Sequence, residues 1–596
     1  MAVILHFLYA CKTIKLCFCL LGIRIANHMS KNTFYRKRKF WYWLAGIFGV
    51  LILILGIGAI ILSAKWKPTL TTKIKEGVSN ASNGLYQINF KDIHLNLLTG
   101  TAVLDSISLM PDTNVFNQLK VQKQAPTHLF RIKLAHLKIS RVGILKAYFK
   151  KRIDLSAIIV DHPSIDMVYH KVPKRTDTAT NEKTLYQQIS KSLKSIAVGQ
   201  IKIVDADFDY YNGNRKLNQV KHLSVNVKDI LIDSAAQFDT TRVFHSKNIG
   251  FELLGYQSDT KDKLYTLKLD TLRGSITGRD LEIRGFKMIP KYPKIEFSRK
   301  YDVQKDRYDL DFKKISLSGI DYVSLNNNGE LLVKQVDLGP AQVNVFMNRE
   351  LPPSSLNKSG NFPHMALKRL PIPTVVEQLK IAKVNVAYGE YNPKTKEIGT
   401  VKLDGLNGTI RNITNDSSRL AKQSHAYADL TTYVMGKAKL NVKIDFNLTS
   451  NNGAFNYKGK VNGFDLKALN AISKPLGQIE LESGQVTSAS FDVSANAAGS
   501  KGVVYFYYKD LKIKMLGEDA DGKEKKKGLL SFLANTILIK DDNIPGEKGR
   551  FANVTHERAP QASFFNIMWK SVFKGMREIV GIGIVPMKKA EKPKKK

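Results

Sequence analysis

Asp205, Asp207 and Asp209 form a dense local trio of chemistry-bearing side chains, three carboxylates at alternate positions. Such spacing puts them on one face of a strand, where they could hold a cation or meet lysines and water; lysine or solvent is the expectation. The twelve His are scattered with no H-x-x-x-H pair, and the three Cys, at 11, 17 and 19, leave no thiol ligand further on. Neither a G-x-x-x-x-G-K-S/T phosphate loop nor a G-x-S-x-G nucleophile turn occurs. The sequence therefore assigns no catalytic residue, no metal ligand and no cofactor, and predicts a protein that is not an enzyme. Gly56-Ile57-Gly58 falls within an apolar run and reads as packing material.

The elements that could carry a function are apolar. From Leu85 onward the pattern is mostly strand, and Ala438-Leu440-Val442-Ile444-Phe446-Leu448 alternates apolar with polar as a half-buried strand does. Ile88-Phe90 and Ile93-Leu95-Leu97 alternate too, with a phase slip between them that predicts a bulge. Similar runs cover Ile201 to Tyr211, Leu217 to Ile232, Val384 to Tyr391 and Leu511 to Met515. Helices are expected at Asn181 to Ile196 and, shorter, at Pro373 to Leu379. Val172 to Ala179, Leu351 to Pro373, Gly517 to Lys527 and Asp541 to Gln561 read as linkers.

The pattern is also duplicated. Leu85-Tyr86 returns as Leu264-Tyr265, Thr99-Gly100 as Thr277-Gly278, Pro111 as Pro290, Ser140 as Ser318 and Pro163 as Pro340. Gln200-Ile201-Lys202-Ile203 with Tyr210 returns as Gln378-Leu379-Lys380-Ile381 with Tyr388, always 177 to 179 residues on. Apolar and turn positions recur while polar residues diverge, so what repeats is shape, as in proteins that lengthen a surface by stacking units.

Lys and Arg outnumber Asp and Glu by 92 to 52, a net charge of +40 that favours anionic partners such as phospholipid headgroups, glycolipids or nucleic acid. Phe40 to Ala64 carries no charge and is long enough for a transmembrane helix, with Trp41, Tyr42 and Trp43 at one interface and Trp66 at the other. Arg36-Lys37-Arg38-Lys39 before the span outweighs Lys65 and Lys67 after it, which puts the N-terminus in the cytoplasm and the bulk outside. Absence of Cys beyond residue 19 suits an oxidising compartment such as a periplasm. A membrane anchor on the same chain argues against nucleic acid as the partner of basic stretches such as Lys146 to Lys151.

The fourth Trp, Trp569, lies in Phe564 to Gly581. There Phe565, Met568, Trp569, Val572, Phe573, Met576 and Val580 are expected on one helical face and Asn566, Lys570, Lys574 and Arg577 on the other. Interfacial binding to anionic lipid through Trp569, Lys570, Lys574 and Arg577 and capping of the open end of a sheet are equally good readings. The tail Lys588 to Lys596 is polybasic.

Phe464-Asp465-Leu466, Leu469-Asn470-Ala471, Lys474-Pro475-Leu476, Ile479, Ser483-Gly484, Phe491, Gly502 and Tyr508-Lys509-Asp510-Leu511 resemble the C-terminal segment of the AsmA-like family of Gram-negative envelope proteins. The layout before it is similar: a membrane helix, strands around Thr99-Gly100 ending in Met110-Pro111-Asp112, then Val160-Asp161-His162-Pro163. The resemblance covers roughly residues 40 to 515. It implies an inner-membrane anchor, a β-rich groove in the periplasm, and a part in phospholipid movement toward the outer membrane; this chain is short beside the largest members.

The expected fold is mainly β: an N-terminal transmembrane helix, a duplicated, elongated and curved β-sheet with a groove, and a C-terminal amphipathic helix. Residues 1–39 would be cytoplasmic, with 1–28 an upstream extension before Met29, and 40–64 would span the membrane. The two β-rich units would occupy 85–254 and 264–430, followed by a β segment at 431–516, the helix at 562–585 and the tail at 586–596. Ile88, Phe90, Ile201, Ile203, Leu379, Ile381, Leu440, Val442, Ile444 and Phe446 are the candidates for lining a lipid groove, with ordinary core packing the equal alternative. On the groove reading Ile444→Asp should block lipid without unfolding the chain. The expected partners are a phospholipid or other diacyl lipid, the inner membrane, and outer-membrane or periplasmic proteins. A scaffold that presents its repeats to envelope proteins is the rival.

Overall fold

The computed structural model describes residues 66–581, apart from 97–98, 142–148, 173–185, 188–189, 191–192, 240, 243–244, 517–539 and 547–548. The expected span Phe40 to Ala64, with Trp41 and Trp43, lies outside them, as does the polybasic tail; among the described residues no helix is long and apolar enough to cross a membrane. The fold is mainly β, and the described residues form a single mixed sheet of 22 strands.

Helix α1 (Trp66–Ala81) leads in. It buries Leu70, Ile74 and Val78, an i, i+4 stripe. Strands β1 (Tyr86–Asn89) and β2 (Asp92–Asn96) lie end to end along β3 (Thr101–Pro111), and the anticipated phase slip falls between them. Asp112 then caps α2 (Thr113–Val121), its carboxylate accepting the N–H of Asn114 and Val115. On the far side of β3, β4 (His128–Ser140) pairs with both β5 (Arg152–Asp161) and β6 (Ser164–Tyr169), two collinear pieces interrupted at His162-Pro163. Both run parallel to β7 (Ser195–Asn212), and β8 (Arg215–Ile232) returns antiparallel.

After β9 (Ser246–Asp259) the same succession recurs. Strand β10 (Tyr265–Ser275) pairs with β11 (Asp280–Pro290), which pairs with β12 (Arg307–Ser318); α3 (Lys294–Ser298) stands where α2 stood. Helix α4 (Tyr322–Asn327) precedes β13 (Leu331–Leu338), which with β14 (Ala341–Asn348) again forms a broken strand antiparallel to β12 and parallel to β15 (Thr374–Asn392). Strand β16 (Glu397–Thr414) closes the unit. Parallel pairing needs a long crossover. In the second unit that crossover is the Pro-rich stretch read as a linker, and it holds α5 (Pro363–Lys368).

The rest is an antiparallel meander: β17 (His425–Val434), β18 (Ala438–Asn447), β19 (Phe455–Asp465), β20 (Ile479–Ala495), β21 (Gly499–Met515) and β22 (Phe551–Glu557). Helix α6 (Ser417–Lys422) precedes β17, α7 (Asn470–Gly477) links β19 to β20, and α8 (Phe564–Val580) packs on β21 and β22. With each broken strand sharing one position, the sheet has a contour of roughly 85 Å at ~4.8 Å per strand.

Three sequence expectations are corrected. Pro373 to Leu379 is no helix: Thr374-Val375-Val376 open β15, because β-branched residues in parallel register with Leu331 to Val333 of β13 prefer the pleat. The helix of Asn181 to Ile196 lies mostly outside the described residues, and its last two positions, Ser195 and Ile196, already belong to β7. Asp541 to Gln561 is not all linker, since Phe551-Ala552-Asn553-Val554-Thr555 alternates well enough to form β22 along β21.

A line of left-handed residues crosses the sheet at right angles to its strands. Ser106 in β3, His162 between β5 and β6, Asp205 in β7, His222 in β8, Gly255 in β9, Gly285 in β11, Gly339 between β13 and β14, Lys383 in β15 and Gly405 in β16 all have φ between 44° and 113°. The strand registers set them side by side. At the line the buried apolar residues advance by three instead of two: Leu104 to Ile107, Leu269 to Leu272, Ile283 to Phe286, Phe312 to Ile315 and Ile381 to Val384. In β3, β11 and β15 a left-handed residue, Ser106, Gly285 or Lys383, absorbs the odd step, while β10 and β12 make it alongside them without one, so side chains before and after it stay on one side while the strands bend. The sheet is therefore creased along its length, with one apolar face kept throughout.

That face is packed in three overlapping clusters. The first-unit cluster takes in α1, and the largest runs from β7 to α8. Ile165, Met167 and Ile203 pack against both, and Phe491 and Val572 join the largest to the C-terminal one.

Candidate functional site

The ten groove candidates all fall on described strands or beside them, at two levels of burial. Leu379, 2% exposed, and Ile381 are core residues of β15 opposite Ile410 and Gly408 of β16. Val442, Ile444 and Phe446 are buried on β18 against Ala426, Ala428 and Leu430 of β17, and Ile88 is buried on β1. Phe90, Ile201, Ile203 and Leu440 are half-buried, each lying against the core without being covered by it. Ile201 and Ile203 occupy in the first unit the places that Leu379 and Ile381 occupy in the second, yet only the second pair is sealed. At 7% exposure, Ile444 sits between Ala428 and Tyr457, so a carboxylate there would break the core and cannot serve as a probe of lipid alone.

Helix α8 starts at Ser563, whose hydroxyl accepts the Asn566 N–H, and ends at Gly581 in the left-handed region. It docks through Ile567, Ser571, Gly575 and Ile579, a ridge of i+4 steps off the expected face, together with Val580, which belongs to that face. Hydrophobicity misplaced it because two of the four are small. Ser571 donates to or accepts from Ser500 at 2.5 Å, and a Cβ on Gly575 would come within 2.7 Å of Val504, so closeness of approach selects this side. Arg550 donates Nε–H to the Ile579 carbonyl at 3.2 Å, and Lys574 caps the Thr555 carbonyl on the free edge of β22 at 2.6 Å.

The aromatic stripe sits beside the ridge and stays open. Phe565 is 41% and Phe573 42% exposed, and Trp569 stacks on Phe573 with centroids 5.4 Å apart. Lys570 is exposed next to Trp569, and Arg577 is half-buried. Trp66 opens α1.

Polar chemistry concentrates on the opposite face of the first unit, where the sequence by itself marks only the Asp trio. Asp205 accepts from or pairs with two imidazoles, His222 Nδ1 at 2.7 Å and His162 Nε2 at 3.2 Å, and His162 also meets Asp161 at 2.9 Å. The same order stands three strands away: Asp105 meets His136 at 2.7 Å and His94 at 3.1 Å, and His94 meets Asp92 at 3.4 Å. Asp209 pairs with Lys216 at 2.7 Å. In each tetrad the imidazoles hold opposite oxygens of one carboxylate, so donors form a line and do not converge. Among the described residues no group of three His, Cys, Asp or Glu could hold a metal. The tetrads straddle the crease, where left-handed His162, Asp205 and His222 bring neighbouring strands' side chains together; no local pattern announces that.

Burial shifts several groups. Desolvation pushes the Tyr86 phenol up to about 12 and raises Tyr265, Tyr308 and Tyr388 well above their ordinary value. It pushes the His364 imidazole down to about 4.

No protein-family model, curated protein or solved structure matches this chain.

Proposed function

We propose that this protein binds and conducts the acyl chains of phospholipids or other diacyl lipids along the apolar face of its creased sheet, held at the inner membrane by the Phe40 to Ala64 span with its bulk in the periplasm. The observation that carries the reading is the row of half-buried apolar side chains, Phe90, Ile201, Ile203 and Leu440, along a face that the polypeptide covers only in part. A crease running across the strands turns a flat apolar face into the floor and walls of a trough, and a sheet contour of roughly 85 Å gives it length. Hydrocarbon in such a trough gains ~0.8 kcal/mol per methylene buried while headgroups remain in water. The resemblance to AsmA-like envelope proteins points the same way, as do the exposed aromatics and cations of α8, which suit an anionic membrane surface.

The sealed stretch at Leu379, Ile381, Val442, Ile444 and Phe446 favours a second reading, a scaffold with a self-packed interior that presents its surface to outer-membrane or periplasmic proteins. Native mass spectrometry of the full chain purified in detergent separates the two. Stoichiometric diacyl lipid, lost in Ile203→Asp with the fold retained, is the expected result; a lipid-free, folded protein would leave the scaffold.

A further inference from the structure

His364 is fully buried, and neither ring nitrogen has a hydrogen-bond partner. Its surroundings are aromatic. Phe446 of β18 lies 5.4 Å from the imidazole centroid, Phe455 of β19 6.1 Å and Phe362 6.3 Å. Phe564, the first residue of α8, closes the same cluster at 4.7 Å from Phe455, 5.7 Å from Phe446 and 5.8 Å from Phe362. The crossover of the second unit, the meander and the C-terminal helix thus meet around one titratable ring. The charges near it are both positive: Lys368 on its own helix, held by the carbonyls of Thr449 and Ser450, and Arg558, 5.4 Å from the Phe362 ring centroid. Phe446, Phe455 and Phe564 bring none, and the Gly453 backbone lies close without hydrogen-bonding geometry.

We propose that His364 is an acid-sensitive latch: its protonation parts the Phe362–Phe446–Phe455–Phe564 joint and lifts the first turns of α8 from the apolar face. Whatever that face carries, the joint is assigned by its own geometry. An imidazolium here would need water or a carboxylate and has neither, so the proton binds only once the ring is freed. Burial holds the imidazole at about 4 against 6.5 when free, so acid favours the open form and neutral pH the closed one. Linkage between these values raises the opening equilibrium about 20-fold from pH 7 to pH 5.

Hydrogen exchange with mass spectrometry on the full chain in detergent tests this, after correction for intrinsic rates. The expected result is an increase of about 20-fold in opening confined to Phe362 to Lys368 and the first turns of α8, with β10 and β11 unchanged. His364→Phe and His364→Leu should keep neutral-pH protection and lose the pH response. An unchanged response in either variant, or no rise in the parent protein, would overturn the latch. If both variants prove unfolded, the parent protein decides by where its exchange rises: a rise confined to the joint supports the latch, and one spread over all strands overturns it.

Discussion

Tyr86 and Tyr265 stand 179 residues apart and make the same bond: each phenolic oxygen accepts a backbone N–H from two strands away, that of Phe130 at 3.0 Å and that of Tyr308 at 3.2 Å. In both units the side chain reaches across an intervening strand and ties the start of the unit to its third rung. The duplication is therefore one of hydrogen-bonded geometry as well as of apolar pattern.

Tyr86→Phe and Tyr265→Phe should each cost about 1–3 kcal/mol, because a buried N–H is left without its acceptor. Both phenols are held above their ordinary value of 10.0 by burial, so their contribution to stability is whole below pH 10 and is lost as pH rises toward 12. Chemical denaturation at pH 7.5 and at pH 10.5 should show the parent protein losing stability between them, and each variant losing less.

Exchange of residues between the units tests the crease. Ser106 and Gly285 hold the same left-handed position at φ 51° and 64°, but only the second lacks a side chain, and a Cβ there would run into Asp270. Ser106→Gly should be neutral or stabilising by up to about 1 kcal/mol, and Gly285→Ser destabilising by about 2 kcal/mol or more, read as opposite shifts in thermal midpoint.

The two stripes of α8 should separate in experiment. Gly575→Leu, which drives a side chain into Val504 and Val554, should undock the helix and expose it to trypsin at Lys570 and Lys574. Trp569→Ser with Phe573→Ser should leave the melting curve within about 0.5 kcal/mol of the parent and weaken co-sedimentation with anionic phospholipid vesicles several-fold. Equal vesicle binding by parent and variant would remove the interfacial role.

Ile203→Asp and Ile444→Asp should part company. The half-buried site should tolerate the charge, losing lipid and about 1 kcal/mol, whereas the buried one should lose several kcal/mol and the native circular dichroism spectrum.

Alternation of apolar residues made the sheet legible, and β18 from Ala438 to Asn447 falls where Leu440, Val442, Ile444 and Phe446 put it. The paired landmarks likewise marked two units with one order of strands, because turn residues and buried positions answer to local backbone geometry. The phase slip near Phe90 was visible for the same reason.

Tertiary structure decided the rest. Whether Asp205 or Lys383 takes a left-handed conformation depends on the strands alongside, since a kink survives only where its neighbours kink in register. Which side of α8 docks depended on how near Val504 and Val554 allow the backbone at Gly575 to come, and hydrophobicity alone cannot weigh a missing side chain. In each tetrad the central carboxylate, Asp205 or Asp105, meets two imidazoles from other strands, and those contacts form only because the crease brings the strands' side chains together. Residue type sets what each side chain can do; proximity, a property of the folded sheet, sets what it does.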